Sequence, residues 1–190
     1  MWKVPIPLNW RLLNKYFISI PALPNSFSLL GAAFSHQSLG HLALNCFGLY
    51  VFGSTLCDQI GRGNFLAVYF TSAVVSSFTS LAYHVVIGPL NICALGASGA
   101  VCGIVGAFAY FNPNAELSLL ILPFISMKAA HFVGAMAGWE IWSLTRGYTK
   151  LDHVSHLSGL ATGVLYGIVL WHAAKKRGER KIKRWRGERV

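Results

Sequence analysis

The stretch LGASGAV, Leu95 to Val101, sets a serine among small residues in a part of the chain that carries no charge. Ser98 reads in two ways. It is a packing residue where helices touch, or a nucleophile working inside a membrane. The surroundings narrow the choice. No Asp, Glu, Lys or Arg stands between Lys15 and Asp58, and none between Arg62 and Glu116. A charged side chain at the bilayer centre costs at least about 2.5–3.5 kcal/mol, so long charge-free runs mark membrane spans. The charged fraction is 12% and the apolar fraction 54%, against roughly 25% charged in ordinary soluble proteins. The chain therefore reads as an all-α polytopic membrane protein.

Spanning the bilayer takes about 20 apolar residues. Five segments approach this: Leu39 to Cys57, Phe65 to Ile87, Ser98 to Phe111, Leu117 to Leu144, and His153 to Trp171. The polar turn DQIGRGN separates the first two, and Asn112-Pro113 stops the third. The third has fourteen residues, about 21 Å of helix at 1.5 Å per residue, too short to cross. The preceding IGPLNICALGA holds Gly88, Pro89 and Gly96 and does not read as regular helix. Irregular backbone at membrane depth survives only when buried in protein or lining a wet cavity. Ser98 is thus expected at the start of a helix that begins inside the membrane, facing a cavity. Residues 1–36, broken by Pro5, Pro7, Pro21 and Pro24, read as an interfacial loop segment, with no signal-peptide pattern. Residues 37–173 form the helical core and 174–190 a basic juxtamembrane tail.

A serine hydroxyl needs a base, most often histidine. His156 opens the last span in SHLSGLATG, with Gly159, Gly163 and Gly167 on nearly the same helix face. The segment after Ser98 carries Gly99, Gly103, Gly106 and Ala107. Two small-faced helices pack backbone to backbone, which is expected to bring His156 to Ser98. Packing alone explains the glycines but not the histidine. In HLALN, His41 and Asn45 are four residues apart and share a face. Both can donate hydrogen bonds to a developing oxyanion, and losing one such donor costs about 2.7–4 kcal/mol of transition-state stabilisation. Asp152, four residues before His156, invites a triad, but an Asp at a helix start is more often an N-cap. His153 is expected to face the membrane surface.

Ser72, Ser76 and Ser80 repeat every four residues on the second span. They read either as a polar wall that retains water, with Ser72 and Ser76 the candidates for it, or as hydroxyls gluing helices together. Cys46, Cys57, Cys93 and Cys102 form no CxxC pair, and no metal or other cofactor is expected. Nine of the sixteen Lys and Arg residues lie in Lys175 to Val190. That tail reads as a partner for anionic lipid headgroups rather than nucleic acid.

The ordered set HLALN, GASGA and SHLSGLATG, spread over successive membrane helices, resembles the rhomboid family of intramembrane serine proteases from about Phe34 to Trp171. FSHQSLGHLALN with LDHVSHLSG is most similar to the mitochondrial inner-membrane, presenilin-associated branch. The resemblance implies a rhomboid helical bundle in the mitochondrial inner membrane, with Ser98 as nucleophile and His156 as base in a dyad. It implies an oxyanion hole of His41, Asn45 and the Ser98 N–H, and transmembrane proteins as substrates. The family core has six helices. With five spans visible, the first core helix is expected to be missing from this stretch. Cys102 stands where many bacterial members pack an aromatic against the catalytic histidine. The alternative is a catalytically impaired rhomboid-like protein that binds transmembrane helices in quality control.

Overall fold

The computed structural model describes residues 10–19, 25–87, 96–118, 126–147 and 151–177. Pro5, Pro7, Pro21, Pro24, most of IGPLNICALGA and the tail beyond Arg177 lie outside the described residues. Two short helices come first, α1 (Trp10–Phe17) and α2 (Ser26–Gly31), followed by a 3₁₀ turn over Ala32–Phe34. The bundle then runs through α3 (Leu39–Ile60), α4 (Arg62–Val86), α5 (Ser98–Phe111), α6 (Ala129–Thr145) and α7 (His153–Arg177). Between α5 and α6 a small antiparallel hairpin pairs β1 (Glu116–Ser118) with β2 (Ser126–Lys128), with Glu116 opposite Lys128.

Local chemistry sets these boundaries. Ser38 starts α3 by accepting from the His41 N–H at 3.1 Å, a side-chain cap on an otherwise orphan donor. Gly61, at φ 83°, ends α3 and lets α4 begin at the next residue. Asp152 starts α7, its Oδ1 accepting from the Ser155 N–H at 3.0 Å.

The helices α3, α4 and α7 are long and apolar enough to cross a membrane, judged by length and composition. The fourteen residues of α5 begin at Ser98, where the spacing predicts. The expected span Leu117 to Leu144 needs correction. Among the described residues, Leu117 and Ser118 belong to β1 and Ser126–Lys128 to β2, and the helix starts only at Ala129. A strand pair closes its own hydrogen bonds across the ladder, so this stretch need not be helical.

Lipid tails are as apolar as leucine, so association of membrane helices depends on close packing rather than on the hydrophobic effect. The centre of the bundle shows this. All of α5 except Ser98 and Tyr110 is buried. On its α7 side, a Cβ on Gly159 would lie 2.1 Å from the Gly99 carbonyl oxygen, and one on Gly163 would lie 1.8 Å from that of Gly103. On its α4 side, a Cβ on Gly103 would meet the Ser72 Oγ at 2.0 Å, and one on Gly99 the Ser76 Oγ at 2.2 Å. The matched pairs 99–159 and 103–163 make α5 and α7 parallel, while 99–76 and 103–72 make α4 antiparallel to both. Phe52 meets Phe108 edge-on at 5.3 Å, and Gly48 meets Val101, so α3 is also parallel to α5. Away from Ser98, α3, α5 and α7 toward their C-terminal ends and α4 toward its N-terminal end enclose a core of Leu56, Ile60, Val68, Ile104, Phe111, Leu170 and Trp171. At that end Gln59 and Asn112 exchange two amide hydrogen bonds, 2.7 and 2.8 Å, which joins α3 to α5.

Candidate active site

Parallel packing of α5 and α7 puts the starts of the two helices side by side. Ser98 opens α5 and His156 lies in the first turn of α7. His156 Nε2 stands 2.9 Å from Ser98 Oγ. Its other ring nitrogen, Nδ1, is 3.0 Å from Oε1 of Glu140 on α6. An ionised carboxylate accepts hydrogen bonds and donates none. The proton of a neutral His156 therefore sits on Nδ1, leaving the Nε2 lone pair to accept the Ser98 hydroxyl proton.

Glu140 is 4% exposed and has a second partner, His153, whose Nδ1 binds its Oε2. His153 is itself 4% exposed. This corrects the expectation that His153 faces the membrane surface. A buried carboxylate without donors is costly, and the first turn of α7 turns both imidazoles inward to supply them. Asp152 does not contact the His156 ring. Its Oδ1 caps α7 and its Oδ2 accepts from Ser80 Oγ at 2.6 Å, so the capping reading stands and α7 is also tied to α4.

His41 and Asn45 approach from α3. Register carries them there: Gly48 packs on Val101, and one turn earlier Asn45 falls level with Ser98. His41 lies against Gly96, where a Cβ would come within 3.1 Å of its Nε2 and 3.7 Å of the Ser98 Oγ. Gly96 has φ 134°, a backbone conformation that L side chains rarely adopt. Its N–H donates to the Ala32 carbonyl at 2.8 Å, which ties Gly96 to the 3₁₀ turn. The Gln37 N–H donates to His41 Nδ1 at 3.4 Å, and His36 packs edge-on against the same ring at 5.3 Å. With Nδ1 accepting, Nε2 carries the proton and points a donor toward Gly96. Asn45 is 7% exposed and its Nδ2 donates to the His41 carbonyl at 2.9 Å. Partial burial and the neighbouring His41 hold the pKa of His36 below its ordinary value.

Ser72 and Ser76 are buried between α4 and α5. Ser76 Oγ donates to the Ala73 carbonyl at 3.1 Å, and Ser72 Oγ has no hydrogen-bond partner among the described residues. Cys102 is buried with Val105 and Leu160 against Phe132, Val133 and Met136 of α6.

Sequence reasoning missed Glu140 and the role of His153. A signal was present. Glu140 is the one Asp, Glu, Lys or Arg between Lys128 and Arg146, and an ionisable residue inside a membrane segment is by default a functional candidate.

Comparison with known proteins agrees with the motif order. A family model described as the rhomboid domain matches residues 24–173. Rhomboid protein 1, mitochondrial, of Saccharomyces cerevisiae is 33% identical over 194 residues, covering 97% of this chain and 54% of that protein. Presenilin-associated rhomboid-like protein A, mitochondrial, of Danio rerio is 35% identical over 166 residues, covering 87% of this chain and 43% of that protein. The human presenilin-associated rhomboid-like protein, mitochondrial, is 31% identical over 196 residues, covering 95% and 51%. The chain thus spans about half the length of these relatives.

Proposed function

The chain belongs to the rhomboid family, and from that premise we propose that it is a serine endopeptidase that cuts single-pass membrane proteins in or near their transmembrane helix. The observation that carries this reading is the 2.9 Å contact between Ser98 Oγ and His156 Nε2 at the start of a short buried helix. Ser98 Oγ attacks the scissile carbonyl carbon as His156 takes its proton. The carbonyl oxygen becomes an oxyanion, for which the Ser98 N–H, His41 Nε2–H and the Asn45 amide are the donors. The Asn45 Nδ2 carries two hydrogens, so one holds the His41 carbonyl while the other serves as donor. The positive end of the α5 dipole favours the same charge. His156 then protonates the leaving amine, and a water deprotonated by His156 releases the acyl group from Ser98.

Ser76, against Gly99 beside the nucleophile, is the residue we assign to holding that water, with Ser72 extending the polar face. Substrates must unwind locally to present a peptide bond, so glycine or other helix-weakening residues near the cut are expected. The names of the relatives place them in mitochondria. We place this chain there too, in the inner membrane, with its basic C-terminal end on anionic headgroups.

Reconstitution of the full protein with a transmembrane substrate tests the reading. Cleavage is expected from the wild type and absent from Ser98→Ala and His156→Ala. Cleavage that survives Ser98→Ala sinks the mechanism. A serine-reactive fluorophosphonate that labels Ser98 separates a working nucleophile from a homologue that only binds helices.

A further inference from the structure

We infer that Glu140 is a positioning residue for His156, held in place by His153, so that the nucleophile is served by a relay of Ser98, His156 and Glu140 rather than by a pair. The inference rests on the protease reading above. Three observations carry it.

The first is placement. Glu140 comes from α6, a helix of which only Ala129, Glu140 and Ser143 are buried. A carboxylate there faces the interior at high cost unless something uses or satisfies it. The second is the division of its two oxygens. Oε1 takes the His156 Nδ1–H at 3.0 Å and Oε2 takes that of His153. A tether between α6 and α7 needs one of these bonds. The bond to His156 additionally fixes which ring nitrogen carries the proton, and it is on the far side of the ring from Ser98. The third is charge. When His156 takes the serine proton it becomes a cation in a poorly solvated site, and Glu140 is the acid in contact with it. In serine proteases with a carboxylate at this place, the acid holds the tautomer and stabilises the imidazolium without itself being protonated. His153 supports the acid in turn. Its hydrogen bond fixes the rotation of the carboxylate, so Oε1 stays on the His156 ring.

The test uses the full chain in detergent or proteoliposomes, with a fluorophosphonate probe and a transmembrane substrate. Probe labelling gives two numbers, the fraction of protein that labels at completion and the rate at which it does so. Glu140→Gln keeps the size and removes the charge. It is expected to label to the wild-type end-point about 10²–10⁴-fold more slowly, as loss of a triad acid does. Its kcat falls with KM unchanged. Glu140→Asp restores the charge at a shorter reach and is expected about ten-fold below wild type, the scale of a displaced supporting partner. His153→Ala slows labelling in the wild-type background and adds little to Glu140→Gln. A wild-type rate in Glu140→Gln, or a loss confined to the end-point, overturns the inference. If Glu140→Gln does not fold, Glu140→Asp carries the test alone, and an unchanged rate there overturns it. Equal labelling of wild type and Ser98→Ala is a different result. It removes the protease reading itself.

Discussion

The two helices that flank His156, α5 and α6, are built on opposite principles. Apart from Ser98 and Tyr110, α5 is buried throughout, locked between α4 and α7 by glycine positions that leave no room for a methyl group. By contrast, α6 exposes Trp139, Ile141 and Trp142 and meets the N-terminal end of α7 through Glu140. Its Gly134 and Gly138 have nothing within 4 Å of an added Cβ. Ser98 is therefore placed by shape and the Glu140 carboxylate by hydrogen bonds. Shape tolerates little change, because a dense interior has no slack. A polar contact on a lightly packed helix tolerates much more around it, while being intolerant of its own loss.

Substitutions can break or sharpen this contrast. The largest effect is expected from Gly163→Val, which drives a side chain into the Gly103 carbonyl. It should destabilise the bundle by about 3 kcal/mol, the upper range for overpacking, with cleavage lost. Thermal unfolding in detergent and protease resistance check this, and a stable Gly163→Val protein removes the claim that shape places α5. Next comes the polar clamp at the other end of α5. Gln59→Ala breaks the reciprocal amide pair with Asn112 and should lower stability by about 1 kcal/mol, seen as a lower Tm with Ser98 labelling retained.

A smaller change of opposite sign is expected from Gly138→Ala on α6. With open space at the Cβ, the loss of glycine flexibility should stabilise by about 0.5–1 kcal/mol. A Gly138→Ala protein that melts like Gly163→Val would erase the difference between the helices. The smallest effect belongs to Ser143→Ala. The Ser143 hydroxyl is buried without a hydrogen-bond partner among the described residues. Its removal should shift stability by no more than about 0.5 kcal/mol, or raise it slightly. A large loss would show that α6 depends on this hydroxyl.

Much of this arrangement was legible in the chain. The charge-free runs gave the membrane class. The start of α5 at Ser98 followed from a segment too short to cross and from Gly88, Pro89 and Gly96 in the sequence before it. The pairing of Ser98 with His156 followed from two glycine stripes, because a stripe of small residues records which face a helix must bury against another. Other parts were not legible. A hairpin over Glu116–Ser118 and Ser126–Lys128 lies in an apolar run that reads equally as helix, since short apolar runs carry no decisive period. The inward turn of His153 was hidden for a different reason. It depends on a partner thirteen residues earlier in the chain, on another helix.

The sequence by itself determined the solvent, the order of the membrane helices and the pairing of Ser98 with His156, because hydrophobicity, helix stops and glycine periodicity are local properties. Only the tertiary structure decided that His156 has a carboxylate behind it, and that His153 binds the same carboxylate. The rotation of α6 about its own axis is not written in the period of its residues, which are apolar on nearly every side. It is set where Glu140 finds two imidazoles on α7 to satisfy it.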